Sequence, residues 1–314
     1  MTVFRTLLLV TVSACAAAST AAPPAPPADR APASGAPAFR VEVSGHGPPM
    51  ILIPGLASSG ETWTTTVAHL RERYTCHVLT LAGFAGVPPT EGTLVPTVEA
   101  ALVSYIASHN LVKPVVMGHS LGGELTLMLA ADHPALVGPI VIVDSLPFLG
   151  AILGASTADE AMSTAGRIRA GMAAMPQPQY EAGVRSGQST NALVTAPADR
   201  QRLIAWTSAS DRATVADAML ALFGTDLRPV LPRVTAPALV IGTWIGWGSD
   251  PGARADAVAR FHDQYAGLSR LHFAVTDTAR HFVMFDDLPW FTRELDKFLA
   301  DPDAAVRERG FAAL

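Results

Sequence analysis

Val115-Val116-Met117-Gly118-His119-Ser120-Leu121-Gly122-Gly123-Glu124 is an apolar run that ends in Gly-x-Ser-x-Gly and leads into Leu125-Thr126-Leu127-Met128-Leu129-Ala130-Ala131. Strand-like residues precede the serine and helix formers follow it, so the chain must turn from strand to helix within a few residues. Gly118 and Gly122 remove the side chains that would collide in such a turn, and Ser120 is pushed into a strained, exposed conformation above a sheet. The helix that follows offers N–H groups with no intrahelical partner, a setting that stabilises an oxyanion. Ser120 is the candidate nucleophile.

Outward from this elbow, apolar runs alternate with amphipathic stretches, the pattern of a mostly parallel sheet flanked by helices. Strands are expected at residues 39–43, 50–53, 77–81, 115–117, 139–143, 238–241 and 270–275, and helices at 62–73, 96–109 and 290–299. Between 146 and 226 the regularity breaks. This stretch is rich in Ala, Met and Gln, with helical propensity and no strand-like run, and reads as a helical cap inserted between two strands. The core is then 39–145 with 227–300. Met162, Met172, Met175 and Met219 either line a cavity for an apolar substrate or pack the cap helices together. Trp206, Trp244, Trp247 and Phe148 either bound an apolar pocket or belong to the core.

The 314 residues carry a formal charge of −5, and only 16% of them are charged, which gives no field suited to nucleic acid. The N-terminus reads as an export signal over residues 1–21, with Arg5 as the positive start, an apolar core and Ala16-Ala17-Ala18 as a cleavage site. Val12-Ser13-Ala14-Cys15 also fits a lipoprotein processing site, with Cys15 as a lipid anchor. The Pro- and Ala-rich stretch 22–38 reads as a disordered tether, and both readings place the protein outside the cytoplasm, secreted or periplasmic. The other cysteine, Cys76, is left without a partner and reads as a small core residue.

Four blocks in order resemble the α/β-hydrolase superfamily, in its branch of small serine esterases with a helical cap. They are Ile51-Leu52-Ile53-Pro54-Gly55-Leu56, the elbow, Val141-Ile142-Val143-Asp144, and Ala279-Arg280-His281-Phe282 followed by Asp287-Leu288-Pro289-Trp290-Phe291. The fold implied is α/β, and the order implied is serine, acid, histidine. His281, on a loop between the last strand and the last helix, is the expected base that takes the Ser120 proton. His119 sits inside the elbow and should point away from the hydroxyl. His69, His109, His133, His262 and His272 lie in or beside predicted helices or strands.

The acid admits alternatives. In many relatives it follows the strand after the cap, and here Gly246 stands at that position. Asp250 can serve only if its loop is several residues longer than normal. Asp144, at the end of the strand after the elbow helix, is preferred, and Asp277 is third. The carboxylate would orient the imidazole and stabilise its charged form. The oxyanion hole is expected from the backbone N–H groups of Leu56 and Leu121.

The reaction expected is hydrolysis of a carboxylic ester of a small, apolar substrate through an acyl-enzyme, with no metal and no cofactor, since no metal-ligand cluster, phosphate loop or dinucleotide fingerprint appears. Amide, lactone or carbon–carbon hydrolysis and acyl transfer use the same triad. A hydrolase-like binding protein without catalysis is the reading from a different class, and the glycine at 246 is its one hint. The substrate and the oligomeric state are open at this level.

Overall fold

A computed structural model of the chain describes residues 35–246 and 251–303. The stretch read as an export signal, Cys15, most of the stretch 22–38 read as a tether, Trp247, Asp250 and the tail after 303 lie outside the described residues. Seven strands, β1 (Phe39–Gly45), β2 (Pro49–Ile53), β3 (Thr75–Leu81), β4 (Val115–His119), β5 (Ile140–Val143), β6 (Ala238–Gly242) and β7 (Leu271–Val275), form one sheet. Their order is β1-β3-β2-β4-β5-β6-β7, with β1 antiparallel to β3 and every other pair parallel.

Strand residues alternate between two cores, as the period of two demands. Ile51, Ile53, Val116, Ile140, Ile142 and Val240 face one layer; Met50, Leu52, Met117, Val141, Val143 and Ile241 face the other. The first layer is closed by helices α2 (Leu94–Ser108) and α3 (Leu121–Asp132), through Val98, Leu102, Leu125 and Leu129. The second is closed by α1 (Thr64–Leu70) and the C-terminal α10 (Leu288–Ala300), whose Phe291, Leu295 and Phe298 fall on one stripe at helical spacing. Each fully buried Leu, Ile or Phe contributes about 1.5–3 kcal/mol relative to exposure.

Between β5 and β6 the chain is helical: α4 (Ala158–Ala174), α5 (Gln177–Ser186), α6 (Pro197–Ser208) and α7 (Arg212–Gly224), with short turns at Leu149–Leu153, Gln188–Ala192 and Arg228–Arg233. Thr157 and Asp211 cap the starts of α4 and α7 by accepting from the amides of Glu160 and Thr214. This insert leaves and re-enters the sheet at one point, where the Leu227 amide donates to the Pro147 carbonyl at 2.8 Å. No helix among the described residues is long and apolar enough to cross a membrane.

Several boundaries differ from the sequence reading. The end of the tether belongs to the fold: Ala38 is buried and accepts from the Ala82 amide, and Ala36 accepts from the Thr90 hydroxyl. The helix expected over 62–73 is a short turn, Gly60–Trp63, followed by α1, and α2 begins before Pro96, at Leu94, since proline is tolerated in a first turn. Helix α8 (Pro251–Tyr265) had no counterpart in the reading, because its buried stripe, Ala257, Phe261 and Tyr265, is thin and set among charged residues. A four-residue helix, α9 (Val283–Asp286), was likewise unforeseen.

Candidate active site

Ser120 sits between β4 and α3 with φ 53° and ψ −117°, a left-handed conformation that costs a residue with a Cβ of order 1–3 kcal/mol. Its surroundings hold the strain: the Ser120 amide donates to Val143, and its carbonyl accepts from Gly123 and Glu124. A Cβ on Gly118 would collide with the Gly122 carbonyl, and one on Gly122 with the Ile53 carbonyl, so only glycine permits this packing.

Asp144 follows β5 and is also left-handed, with φ 45°. Its amide donates to the Ile241 carbonyl at 2.7 Å. Its carboxylate takes three bonds: the Thr243 amide to Oδ1 at 2.9 Å, the Thr243 hydroxyl to Oδ2 at 2.9 Å, and His281 Nδ1 to Oδ2 at 2.6 Å. The Asp144 side chain is 2% exposed and that of His281 16%, so the pair is shielded on the acid side and reachable on the imidazole side. Tyr265 donates its hydroxyl to the Ser145 carbonyl at 2.8 Å; burial, and then the charge of Asp144, hold its phenol protonated far above the ordinary range. Gln264 bonds both the amide and the carbonyl of Phe148, at 2.9 and 3.0 Å, which fixes the chain just beyond Asp144.

His119 turns under the His281 ring, with 4.5 Å between ring centroids, and donates from Nε2 to the His281 carbonyl at 3.1 Å. Full burial, and then the neighbouring His281, hold His119 well below the ordinary histidine range, so it is neutral, with its other nitrogen bare. Among the remaining histidines, His69 lies at the surface beside Arg73 and Asp296, and His109 bonds the Tyr105 carbonyl on its own helix. Asp277 is taken by Trp244 Nε1 and Arg254 and does not bond His281. At Gly246, where the resemblance led the sequence reading to look for an acid, an added Cβ would lie 2.5 Å from the Ala192 carbonyl, so the insert occupies that space.

Ser120, Asp144 and His281 line one cavity of about 790 Å³. Gly55 and Leu56 line it too, and a Cβ on Gly55 would lie 3.2 Å from that of Ser120, so the loop after β2 runs against the elbow. Leu121 opens α3, where the first amides have no intrahelical acceptor. The rest of the wall is mostly apolar; the insert supplies much of it, including Ile168, Met172, Met175, Val184, Met219 and Leu222, and α8 adds Ala257, Arg260 and Phe261. Met162 lies elsewhere, against Gly224.

Of the aromatics that the sequence offered for wall or core, the three described ones do not line the cavity, whereas Tyr180, Phe223, Phe261 and Phe282 do. Phe148 is fully buried beneath Arg228, Trp206 packs on Phe285, and Trp244 is tied to Asp277. Cys76 is buried, and desolvation pushes its thiol up to about 11. No group of His, Cys, Asp or Glu among the described residues is arranged to hold a metal ion. Thr243, Gln264 and Tyr265 were missed by sequence reading. Only Thr243 carried a signal, since the parallel register sets Val143 beside Ile241 and so places a hydroxyl just past the end of β6, near Asp144.

Residues 50–293 match the model of the alpha/beta hydrolase family. Among curated relatives, a putative carbamate hydrolase, RutD, of Yersinia enterocolitica is 26% identical over 211 residues, covering 64% of this chain and 72% of the relative. A pimeloyl-[acyl-carrier protein] methyl ester esterase of Aeromonas hydrophila is 32% identical over 110 residues, 34% of this chain and 41% of its own. Among solved structures, the enol-lactonase from Burkholderia xenovorans LB400 superposes with a TM-score of 0.67 at 17% identity, over 84% of this chain and 96% of that one. A thermophilic esterase from Thermogutta terrifontis gives 0.65 at 18%, over 84% and 94%. Sheet order, strained elbow and a match over most of the chain agree: the protein is a hydrolase that belongs to the alpha/beta hydrolase family.

Proposed function

We propose that the protein hydrolyses carboxylic esters of apolar acids, with Ser120 as nucleophile, His281 as general base and acid, and Asp144 as the carboxylate that orients and stabilises the imidazole. The observation that carries this reading is the 2.6 Å contact of His281 Nδ1 with a buried carboxylate that Thr243 also holds, in the same cavity as a serine on a strained elbow. A serine hydroxyl is a weak nucleophile at neutral pH and needs a base that can take its proton. Bonding Nδ1–H to Asp144 leaves Nε2 as the basic nitrogen, and the carboxylate stabilises the imidazolium that forms.

In this scheme Ser120 Oγ attacks the ester carbonyl and His281 takes its proton. The amides of Leu56 and Leu121 hold the oxyanion, and the alcohol leaves with the proton from His281. Water repeats the sequence to release the acid. The apolar wall with its three methionines suits an apolar acyl group, since thioether chains adapt to irregular shapes. The named activity of the Aeromonas relative, a methyl ester esterase, belongs to the same reaction class. The leader read in residues 1–21 would place this chemistry outside the cytoplasm, with lipid attachment at Cys15 as the alternative to free secretion. Cell fractionation of the wild type beside Cys15→Ala separates the two.

The test is turnover of nitrophenyl esters of increasing acyl length. Ser120→Ala should lose about three or more orders of magnitude in kcat, and Asp144→Asn a comparable amount. A folded Ser120→Ala protein that retains wild-type rates sinks the reading.

A further inference from the structure

The loop that carries His281 is fastened on two sides. Beneath it, His119 bonds the His281 carbonyl. On the other side the residues flanking His281 are bonded to a short segment of the insert. The Phe282 amide donates to the Leu193 carbonyl at 3.1 Å, and the Arg280 guanidinium donates to the carbonyls of Asn191 and Val194. Asp286 joins the two. Its Oδ2 accepts from the Arg280 amide at 2.9 Å and from the Thr195 hydroxyl at 3.0 Å, and its Oδ1 accepts from the Thr195 amide at 2.8 Å. The same segment supplies Thr190, Ala192 and Leu193 to the cavity wall.

We propose that Asp286 is a positioning residue for His281, registering the base-bearing loop against the cavity wall so that the imidazole keeps its bond to Asp144 in the cavity that Ser120 also lines. The proposal rests on the reading of His281 as the base. Asp286 ends α9, but its carboxylate reaches back to residue 280 and across to residue 195 instead of capping a helix start. One carboxylate thus satisfies two backbone amides and a hydroxyl belonging to two segments that are far apart in sequence. Charge-assisted bonds of this kind are the stronger class. Because a misplacement of about 1 Å at a catalytic group can cost about 100-fold in rate, a loop held this way has a direct effect on turnover. The arrangement also ties the insert to the base: a shift of residues 191–195 would move His281.

The test compares Asp286→Ala, Asp286→Asn and Thr195→Val with the wild type. The readouts are thermal unfolding, kcat and KM for a nitrophenyl ester across pH, and NMR of histidine-labelled protein for the Nδ1–H resonance of His281, identified by its loss in His281→Ala. Asp286→Ala should fold and lose about 10–100-fold in kcat with KM little changed. The acid limb of its kcat profile should move to lower pH, because an imidazole with a looser carboxylate is less basic. Its Nδ1–H resonance should weaken or vanish. Asp286→Asn, which keeps one acceptor oxygen, and Thr195→Val, which loses one donor, should fall between. Wild-type kcat and pH profile in folded Asp286→Ala overturn the proposal. So does a rate loss with an unchanged pH profile and an intact resonance, which marks a merely structural role. If the wild type turns over no ester, the proposed reaction fails, and the resonance alone then decides: retention in Asp286→Ala overturns the positioning role and loss supports it.

Discussion

The Ala192 carbonyl stands where a side chain on residue 246 would have to go, 2.5 Å from a Cβ built on Gly246. The insert and an acid at that position are mutually exclusive unless the backbone shifts. Asp144, reached from the neighbouring strand, bonds His281 without that conflict. Moving the carboxylate back should therefore fail. Gly246→Asp placed in Asp144→Asn should recover no ester turnover, and Gly246→Asp alone should cost about 1–3 kcal/mol in urea unfolding through overpacking. Recovery in the double variant would show that the insert yields more readily than its packing indicates.

Glu124 links pH to stability. It is buried on α3, shares a hydrogen bond with Thr225 just after α7, and leaves Oε1 without a partner. Desolvation raises its carboxyl from the ordinary 4.5 to about 8. The folded chain thus keeps a proton that the unfolded chain releases above its own value. Stability from this group falls as pH climbs from about 4.5 to about 8, then levels off. The decline should be of order a few kcal/mol in urea unfolding. Glu124→Gln should flatten it, and a wild-type slope retained in that variant would move the effect to another group.

Cys76 should be inert. With its thiol buried and pushed up to about 11, little thiolate exists at pH 8. Iodoacetamide should label it only after denaturation and leave ester turnover unchanged; fast labelling of the native protein would contradict this burial.

Acyl-chain preference should respond to the methionines of the cavity wall. Met219→Trp, on α7, adds bulk to the chamber, so kcat/KM for the longest ester accepted should fall about tenfold or more, with the acetyl ester little affected. Equal losses across the series would place Met219 outside the acyl path.

Most of the frame was legible because elbow and sheet rest on short-range rules. Val116 and Met117 alternate between two cores, glycines stand where β4 meets α3, and both features are written in consecutive residues. Asp144 could be nominated because strand β5 ends at it. Thr243 could be reached only through the pairing of β5 with β6, and Asp286 not at all. Each acts by bonding a residue far away in sequence, Thr243 to Asp144 and Asp286 to Thr195, and for Asp286 no local pattern encodes such a pair. For Trp206, Trp244 and Phe148 the choice between pocket wall and core stayed open for the same reason: aromatic bulk says that a residue will be buried, not which side of a wall it faces. Helix α8 escaped because alanine fills part of its buried stripe.

The bond between Leu227 and Pro147 brings together the two stems of a stretch that runs through four helices. The length of that stretch is therefore a small term for β5 and β6. Closure entropy grows slowly with loop length, about 0.6 kcal/mol per doubling, so what an exchange between these stems would lose is packing, that of Leu222 in one core and of Leu203 and Trp206 in the other. Ser120 and Asp144 stay with the sheet, whereas the acyl chamber and the hold on the His281 loop travel with the excursion. Exchanging that one segment is thus a route to new selectivity in which the price falls on the placement of the base.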